Sequence, residues 1–190
     1  MTIYGLIRHG ATQWNQLGKL QGQLDIELTN EGRSQAHLLG RRFRKLDWDY
    51  IVSSDLSRAH ETAQIIAAES GIPMLEASPK LRERSFGQLE GTTLEERIER
   101  YGNEWRQLEL GVESDESVIG RWSEFEAQLK LQHPGERILI VSHGSFIGTV
   151  LRVLDLEEPD GYLTNTSLTI IEHDEYGWSC SLYSCTRHLD

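Results

Sequence analysis

Two histidines in this chain stand between an apolar run and a glycine. Ile3–Ile7 runs straight into Arg8-His9-Gly10, and Ile138–Val141 runs into Ser142-His143-Gly144. A third apolar pair, Ile51-Val52, leads into Ser53-Ser54-Asp55-Leu56-Ser57-Arg58. Short, almost wholly apolar runs are the pattern of strands buried on both faces. In open α/β sheets, ligands bind beyond the carboxyl ends of such strands. If the three runs are parallel neighbours, two imidazoles and two guanidiniums gather at one end of the sheet. Each following glycine lets the backbone approach a ligand and expose its N–H. Helices starting just after Gly144 and near Leu56 point their N-termini at the same place, which favours an anion. Guanidinium forks match phosphate oxygens. Any one of these His or Arg residues alone reads as structural or as surface. Three matched strand ends read together as a phosphate site.

Helices must alternate with these strands to hold them parallel. Ala36, Leu39, Phe43 and Leu46 recur at spacings of three and four, with Thr29 or Asn30 as N-cap. Ala59, Ala63, Ile66 and Ala67 form a second stripe, stopped by Gly71-Ile72-Pro73. Val118, Trp122, Phe125 and Leu129 form a third, stopped by His133-Pro134-Gly135, and Ile147 to Leu154 form a fourth. The alternation predicts an α/β fold with a mainly parallel central sheet and helices on both faces. Ser167–Glu172 and Trp178–Tyr183 flank a Glu175-Tyr176-Gly177 turn and predict an antiparallel hairpin at the sheet edge. Residues 80–118 are poor in strand signals and are expected to form an insertion that covers a sheet edge and the site.

The 190 residues suit one domain spanning 1–190. With 38% hydrophobic and 26% charged residues, the chain has the composition of a soluble globular protein. Its net charge of −11 gives no general attraction for nucleic acid or an anionic membrane. An anionic small molecule must therefore be held by a local basic pocket. No apolar run reaches the ~18–20 residues of a membrane span. The start of the chain lacks a signal-peptide pattern, so a cytoplasmic protein is expected. Cys180 and Cys185 fit no zinc spacing and read as reduced thiols, with a link between them left open. Two arginines beside His9 and His143 would repel a divalent cation, and no Asp/Glu cluster has ligand spacing, so no metal is expected. Neither GxxxxGK[ST] nor GxGxxG occurs, so those nucleotide-binding routes are not supported, and no cofactor is expected. A homodimer is left open.

The ordered motifs resemble the histidine phosphatase superfamily, in its cofactor-dependent phosphoglycerate mutase-like branch that includes α-ribazole phosphatase-like enzymes. Leu6-Ile7-Arg8-His9-Gly10-Ala11-Thr12-Gln13-Trp14-Asn15 looks like its signature. Gln21-Gly22-Gln23, Asp25, Leu28-Thr29 and Gly32 follow, then Ser54-Asp55-Leu56-Ser57-Arg58-Ala59 and Thr62-Ala63. Leu81-Arg82-Glu83, Phe86-Gly87, Glu90-Gly91, Ser142-His143-Gly144 and Asn165-Thr166-Ser167 complete a set that covers nearly the whole chain.

The resemblance implies roles. His9 would attack phosphorus, and Arg8, Arg58 and His143 would surround the phosphate oxygens. Phosphoryl transfer depends mainly on positioning and charge stabilisation, which fixed cationic donors supply. A phosphohistidine intermediate splits one difficult step into two. Glu83 would protonate the leaving alkoxide and then act as base toward water. By charge pattern alone, Glu83 reads as a surface ion pair with Arg82 or Arg84. Asn15, Gln21, Gly22 and Gly144 would contact the phosphate or the substrate, with Thr12 and Ser145 as weaker candidates. Trp14, Phe86 and Trp105 fit either a substrate pocket or core packing. His37, His60, His133, His173 and His188 lack this context and read as structural.

The implied activity is phosphatase action on a small phosphomonoester. Mutases of the branch tend to carry Glu-Arg-His-Tyr after the acid and a longer insertion. Here the segment reads Glu83-Arg84-Ser85-Phe86, which favours hydrolysis. Phosphoglycerate mutase and a non-catalytic phospholigand-binding scaffold are the alternatives.

Overall fold

The structure is a computed structural model that describes residues 1–43, 48–156 and 163–190. The elements run β1 (Thr2–Arg8), α1 (Gln13–Gln16), α2 (Asn30–Phe43), β2 (Tyr50–Ser53), α3 (Ser57–Ser70), α4 (Leu94–Tyr101), α5 (Asp115–Gln132), β3 (Arg137–Ser142), α6 (Gly144–Val153), β4 (Leu168–Asp174) and β5 (Gly177–Cys185). Three short 3-10 turns, Pro79–Leu81, Gly87–Leu89 and Trp105–Gln107, interrupt the stretch between α3 and α5. The five strands lie in the order β2-β3-β1-β4-β5. β3 is parallel to both β1 and β2, while β4 is antiparallel to β1 and β5 to β4. This is the parallel-centred sheet with an antiparallel edge hairpin that the sequence predicts.

The central strands are apolar because both of their faces are covered. Side chains alternate across a strand. Tyr4, Leu6, Ile138, Ile140 and Val52 face one core with Val118, Trp122, Phe125 and Leu129 of α5 and Phe146, Ile147, Val150 and Leu151 of α6. Ile7, Leu139, Val141 and Ile51 face the other, with Leu39 and Phe43 of α2 and Ala59, Ala63 and Ile66 of α3. Each large side chain buried this way contributes about 1.5–3 kcal/mol by leaving water. The first predicted helix starts where Thr29 Oγ1 accepts the Gly32 N–H at 3.1 Å. Its last predicted stripe residue, Leu46, lies outside the described residues. α3 ends at Gly71, whose φ of +80° and N–H bond to Ala67 O close it.

The strip beside the β2 edge is not the 80–118 stretch. Met74 and Ser78 bridge in parallel to Ile51 and Ser54. The chain beyond then crosses the carboxyl ends of the strands, where Leu81 O accepts the Ser142 hydroxyl at 2.8 Å. Cys180 and Cys185 are not joined to each other, and the Cys180 thiol donates to Leu182 O at 3.4 Å. No helix among the described residues is long and apolar enough to cross a membrane.

Candidate active site

Sheet register places the two histidines. Arg8 pairs with Ser142 across β1 and β3, so His9 and His143 are the next residues on adjacent parallel strands. Their ring centroids stand 5.2 Å apart at an interplanar angle of 58°. The His9 N–H bonds Ser142 O at 3.0 Å, which keeps the two strand ends together past the last ladder pair. Asn165 Nδ2 donates to His9 O at 2.9 Å, and the Thr166 N–H reaches Arg8 O at 2.9 Å. His9 is thus fixed by backbone on both sides, without any demand on its ring.

Among the described residues, the His9 ring is hydrogen-bonded through one nitrogen. Nδ1 lies 2.7 Å from Gly10 O. A carbonyl accepts and never donates, so Nδ1 carries the proton and Nε2 carries the lone pair. Burial, with the Arg58 and Arg8 charges, holds its pKa well below the usual histidine value. The ring is neutral at neutral pH. His143 is fully buried as the N-cap residue of α6, and neither ring nitrogen has a hydrogen-bond partner among the described residues. Burial comes first in lowering its pKa too, followed by Arg58 and His9.

Arg58 enters from the first turn of α3 and is fully buried. Its Nη1 donates to Leu24 O at 2.8 Å and its Nη2 to Gly22 O at 2.7 Å. Burial brings its pKa down to about 10, with Glu83 and Asp25 opposing the fall, so it stays charged at neutral pH. Arg8 donates from Nη1 to Leu163 O at 2.5 Å. A Cβ on Gly144 would stand 3.2 Å from Arg8 Nε, so the missing side chain is what lets the guanidinium lie along the start of α6.

Glu83 meets the same helix start. Its Oε1 accepts from Phe146 N and Arg84 N, both at 2.8 Å, and its Oε2 from Ser145 N at 3.1 Å. The carboxyl group is therefore held in place by free N–H groups of α6. The surface ion pairs that charge pattern offers do not form. Arg82 pairs with Asp55 at 2.6 Å, and Arg84 pairs with Asp115 and Thr149.

A cavity of about 280 Å³ opens over these groups. Arg8, His9, Asn15, Gln21, Arg58, Glu83 and Gly144 line it, with Phe86 and Ser145 among the other lining residues. His143, its ring centroid 5.2 Å from that of His9, and Gly22, whose carbonyl accepts from Arg58, are not among the lining residues. Asn15 Oδ1 already accepts from the Thr12 N–H, the Thr12 hydroxyl and Asn165, which leaves its amide N–H groups for a ligand. Gln21 Oε1 lies 3.0 Å from the same hydroxyl, whose single proton goes to one of these two oxygens at a time. Trp14 is not among the lining residues, whereas Lys19, Leu20 and Leu163 are, and sequence reasoning passed over these three. It also set aside His188, whose Nε2 lies 3.0 Å from the Thr166 hydroxyl in the loop behind His9.

A doubly covered, parallel-centred sheet with paired histidines and arginines at its carboxyl end defines a class. The chain belongs to the Histidine phosphatase superfamily (branch 1), whose family model matches residues 4–186. Among individual relatives, it is 35% identical to the uncharacterized phosphatase PhoE of Bacillus subtilis, over 100% of this chain and 97% of that one. It is 36% identical to the probable phosphoglycerate mutase GpmB of Yersinia pestis, over 97% of this chain and 94% of that one. Among solved structures, a phosphoserine phosphatase mutant (H9A) from Entamoeba histolytica in complex with phosphoserine superposes with a TM-score of 0.81 at 32% identity, covering 100% of both chains.

Proposed function

We propose that this chain is a phosphatase that hydrolyses small phosphomonoesters through a phosphohistidine on His9. One observation carries the reading. The buried imidazole gives Nδ1–H to Gly10 O and keeps the Nε2 lone pair, in a residue that lines one cavity with Arg8 and Arg58. Nε2 attacks phosphorus as the bond to the ester oxygen breaks. Arg8, Arg58 and His143 donate to the three equatorial oxygens, where charge collects in the transition state. Glu83 gives its proton to the leaving oxygen. It then takes a proton from the water that attacks the phosphohistidine, and inorganic phosphate leaves.

Asn15, Gln21 and the N–H of Gly144 complete the phosphate cradle in this reading. Residues 1–190 act as one domain, and the 80–118 segment covers the site, supplying Glu83 and Phe86. No step calls on a metal. Turnover of p-nitrophenyl phosphate is therefore expected to survive excess EDTA and to vanish in His9→Ala. Activity that EDTA abolishes would contradict this reading.

The likeness to a probable phosphoglycerate mutase favours a second reading, and chain length does not separate the two, since the match spans 94% of that relative. Ser85 and Phe86 in place of the mutase His and Tyr support hydrolysis. Isomerisation of 3-phosphoglycerate faster than its hydrolysis would decide for the mutase.

A further inference from the structure

A second cavity, of about 430 Å³, adjoins the first. Leu20 and Phe86 line both, so the two meet there. Its volume lies in the ~300–1,000 Å³ range of small-molecule sites. Leu89, Leu108, Leu110 and Val112 make most of the remaining wall apolar. The exception is a cluster of Arg97, Trp105 and Arg106. The Arg97 and Arg106 guanidinium carbons lie 5.1 and 4.3 Å from the Trp105 ring centroid. Neither guanidinium has a carboxylate within ion-pair distance among the described residues, although the chain carries a net charge of −11. Glu95 and Glu96, at the start of the same helix, are the acidic groups that act on Arg97, and they do so only at a distance.

Three polar facts separate this cluster from ordinary packing. Arg97 is only 7% exposed, and its Nη1 bonds Thr92 O and Oγ1 at 2.7 and 3.3 Å. Its Nε is buried with no acceptor. The Trp105 indole N–H is buried in the same condition. Buried donors without acceptors cost stability, and two adjacent like charges add to that cost. An anionic group in the cavity would relieve both. Arginine stacked on an aromatic ring keeps its N–H edge free to meet a carboxylate or phosphate.

We propose that this cavity seats the leaving group of the substrate, and that the substrate is a flat, apolar phosphomonoester with a second anionic group at its far end. The proposal rests on the phosphatase reading of the first cavity. The phosphate would lie at His9, the ring system would pass Leu20 and Phe86, and the far anion would meet Arg97, Arg106 and the indole N–H. A substrate ending in a neutral or cationic group would leave these donors unmet.

The test compares kcat/KM for phenyl phosphate, 2-naphthyl phosphate, the phosphate ester of 6-hydroxy-2-naphthoate, and naphthalene-2,6-diyl bisphosphate. The naphthyl ester is expected to outperform the phenyl ester, and a second anion is expected to add about tenfold, the scale of one charged hydrogen bond. The carboxylate and bisphosphate arms show which oxyanion is preferred. Arg106 is exposed, so Arg106→Met should fold. That variant is expected to lose the anion increment and to leave phenyl phosphate turnover unchanged. No increment in the wild type, or an equal loss on all four esters in Arg106→Met, overturns the proposal. If no ester is turned over, the phosphatase reading fails on its own. Calorimetric titration with 6-hydroxy-2-naphthoate then judges the subsite directly: binding in the wild type that weakens about tenfold in Arg106→Met supports it, and no binding overturns it.

Discussion

The tautomer of His9 follows from a single contact, and two consequences follow from the tautomer. With Nδ1–H fixed on Gly10 O, protonation can occur only at Nε2, the atom that must attack. Burial and two arginines resist that protonation. The acid limb of the kcat/KM profile is therefore expected below the ordinary histidine pKa of about 6.5. A limb at or above that value would show that His9 is not held neutral. Glu83 is testable through the leaving group. In Glu83→Gln the amide oxygen can still accept from Phe146 N and Arg84 N, the bond from Ser145 N is lost, and there is no acidic proton to give. Alkyl phosphates are expected to lose about 100-fold or more in kcat, in the range of general acid catalysis, and p-nitrophenyl phosphate much less. Equal losses on both would assign Glu83 a purely structural role. At this scale, the side chains proposed to act on phosphorus were legible because their types are unusual for strand ends. Lys19, Leu163 and the main-chain part of Gly22 were not. Leu163 and Gly22 serve through carbonyls, which every residue has, and Lys19 sits in a turn with no periodicity to place it.

Element packing sets where His9 points. The loop after β1 passes so close to the first turn of α2 that a Cβ on Gly10 would stand 2.5 Å from Gly32 O. The obstacle is backbone and cannot swing aside. Gly10→Ala is expected to destabilise the fold by about 1–3 kcal/mol through overpacking, and to lower activity further by displacing the Gly10 carbonyl that orients the ring. Denaturant unfolding and kcat measured on the same preparation check this. Unchanged stability with unchanged kcat would mean the loop has slack that this geometry denies. Strands β1 to β3 were legible as short, nearly continuous apolar runs buried on both faces, and helices α2, α3, α5 and α6 because each buries a periodic apolar face. α1 was not, since four residues show no period and the Thr12–Asn15 capping box alone sets it. The strip at Met74 and Ser78 was hidden for a similar reason, because isolated bridges need only backbone.

The whole molecule carries the cost of keeping its site uncharged. His9 and His143 have folded pKa values well below the unfolded value of about 6.5. Below that pH the unfolded chain takes up protons that the folded chain refuses, so unfolding gains and stability falls as pH falls. Each group contributes at most about 1.4 kcal/mol per pH unit in that window. His188, brought down to about 4 mainly by burial, acts in the same direction. The Tm is expected to drop between about pH 7 and pH 5, and His143→Gln is expected to flatten the slope. A Tm that rises over that interval would contradict buried neutral imidazoles. The parallel-centred sheet with helices on both faces and its antiparallel edge hairpin were foreseeable from strand and helix alternation, whereas the strand order was not. The sequence leads to the expectation that residues 80–118 cover the site, but the route they take was not legible, because their turns and glycines leave many open.

Rapid acid-free quenching during turnover, followed by mass spectrometry of the peptides, tests the central claim most directly. Phosphate is expected on the His9 imidazole at Nε2, in a form labile to acid and stable to base, and absent when p-nitrophenyl phosphate is withheld. Phosphate on any other side chain, or turnover with no phosphoenzyme in a pre-steady-state burst, would contradict the account.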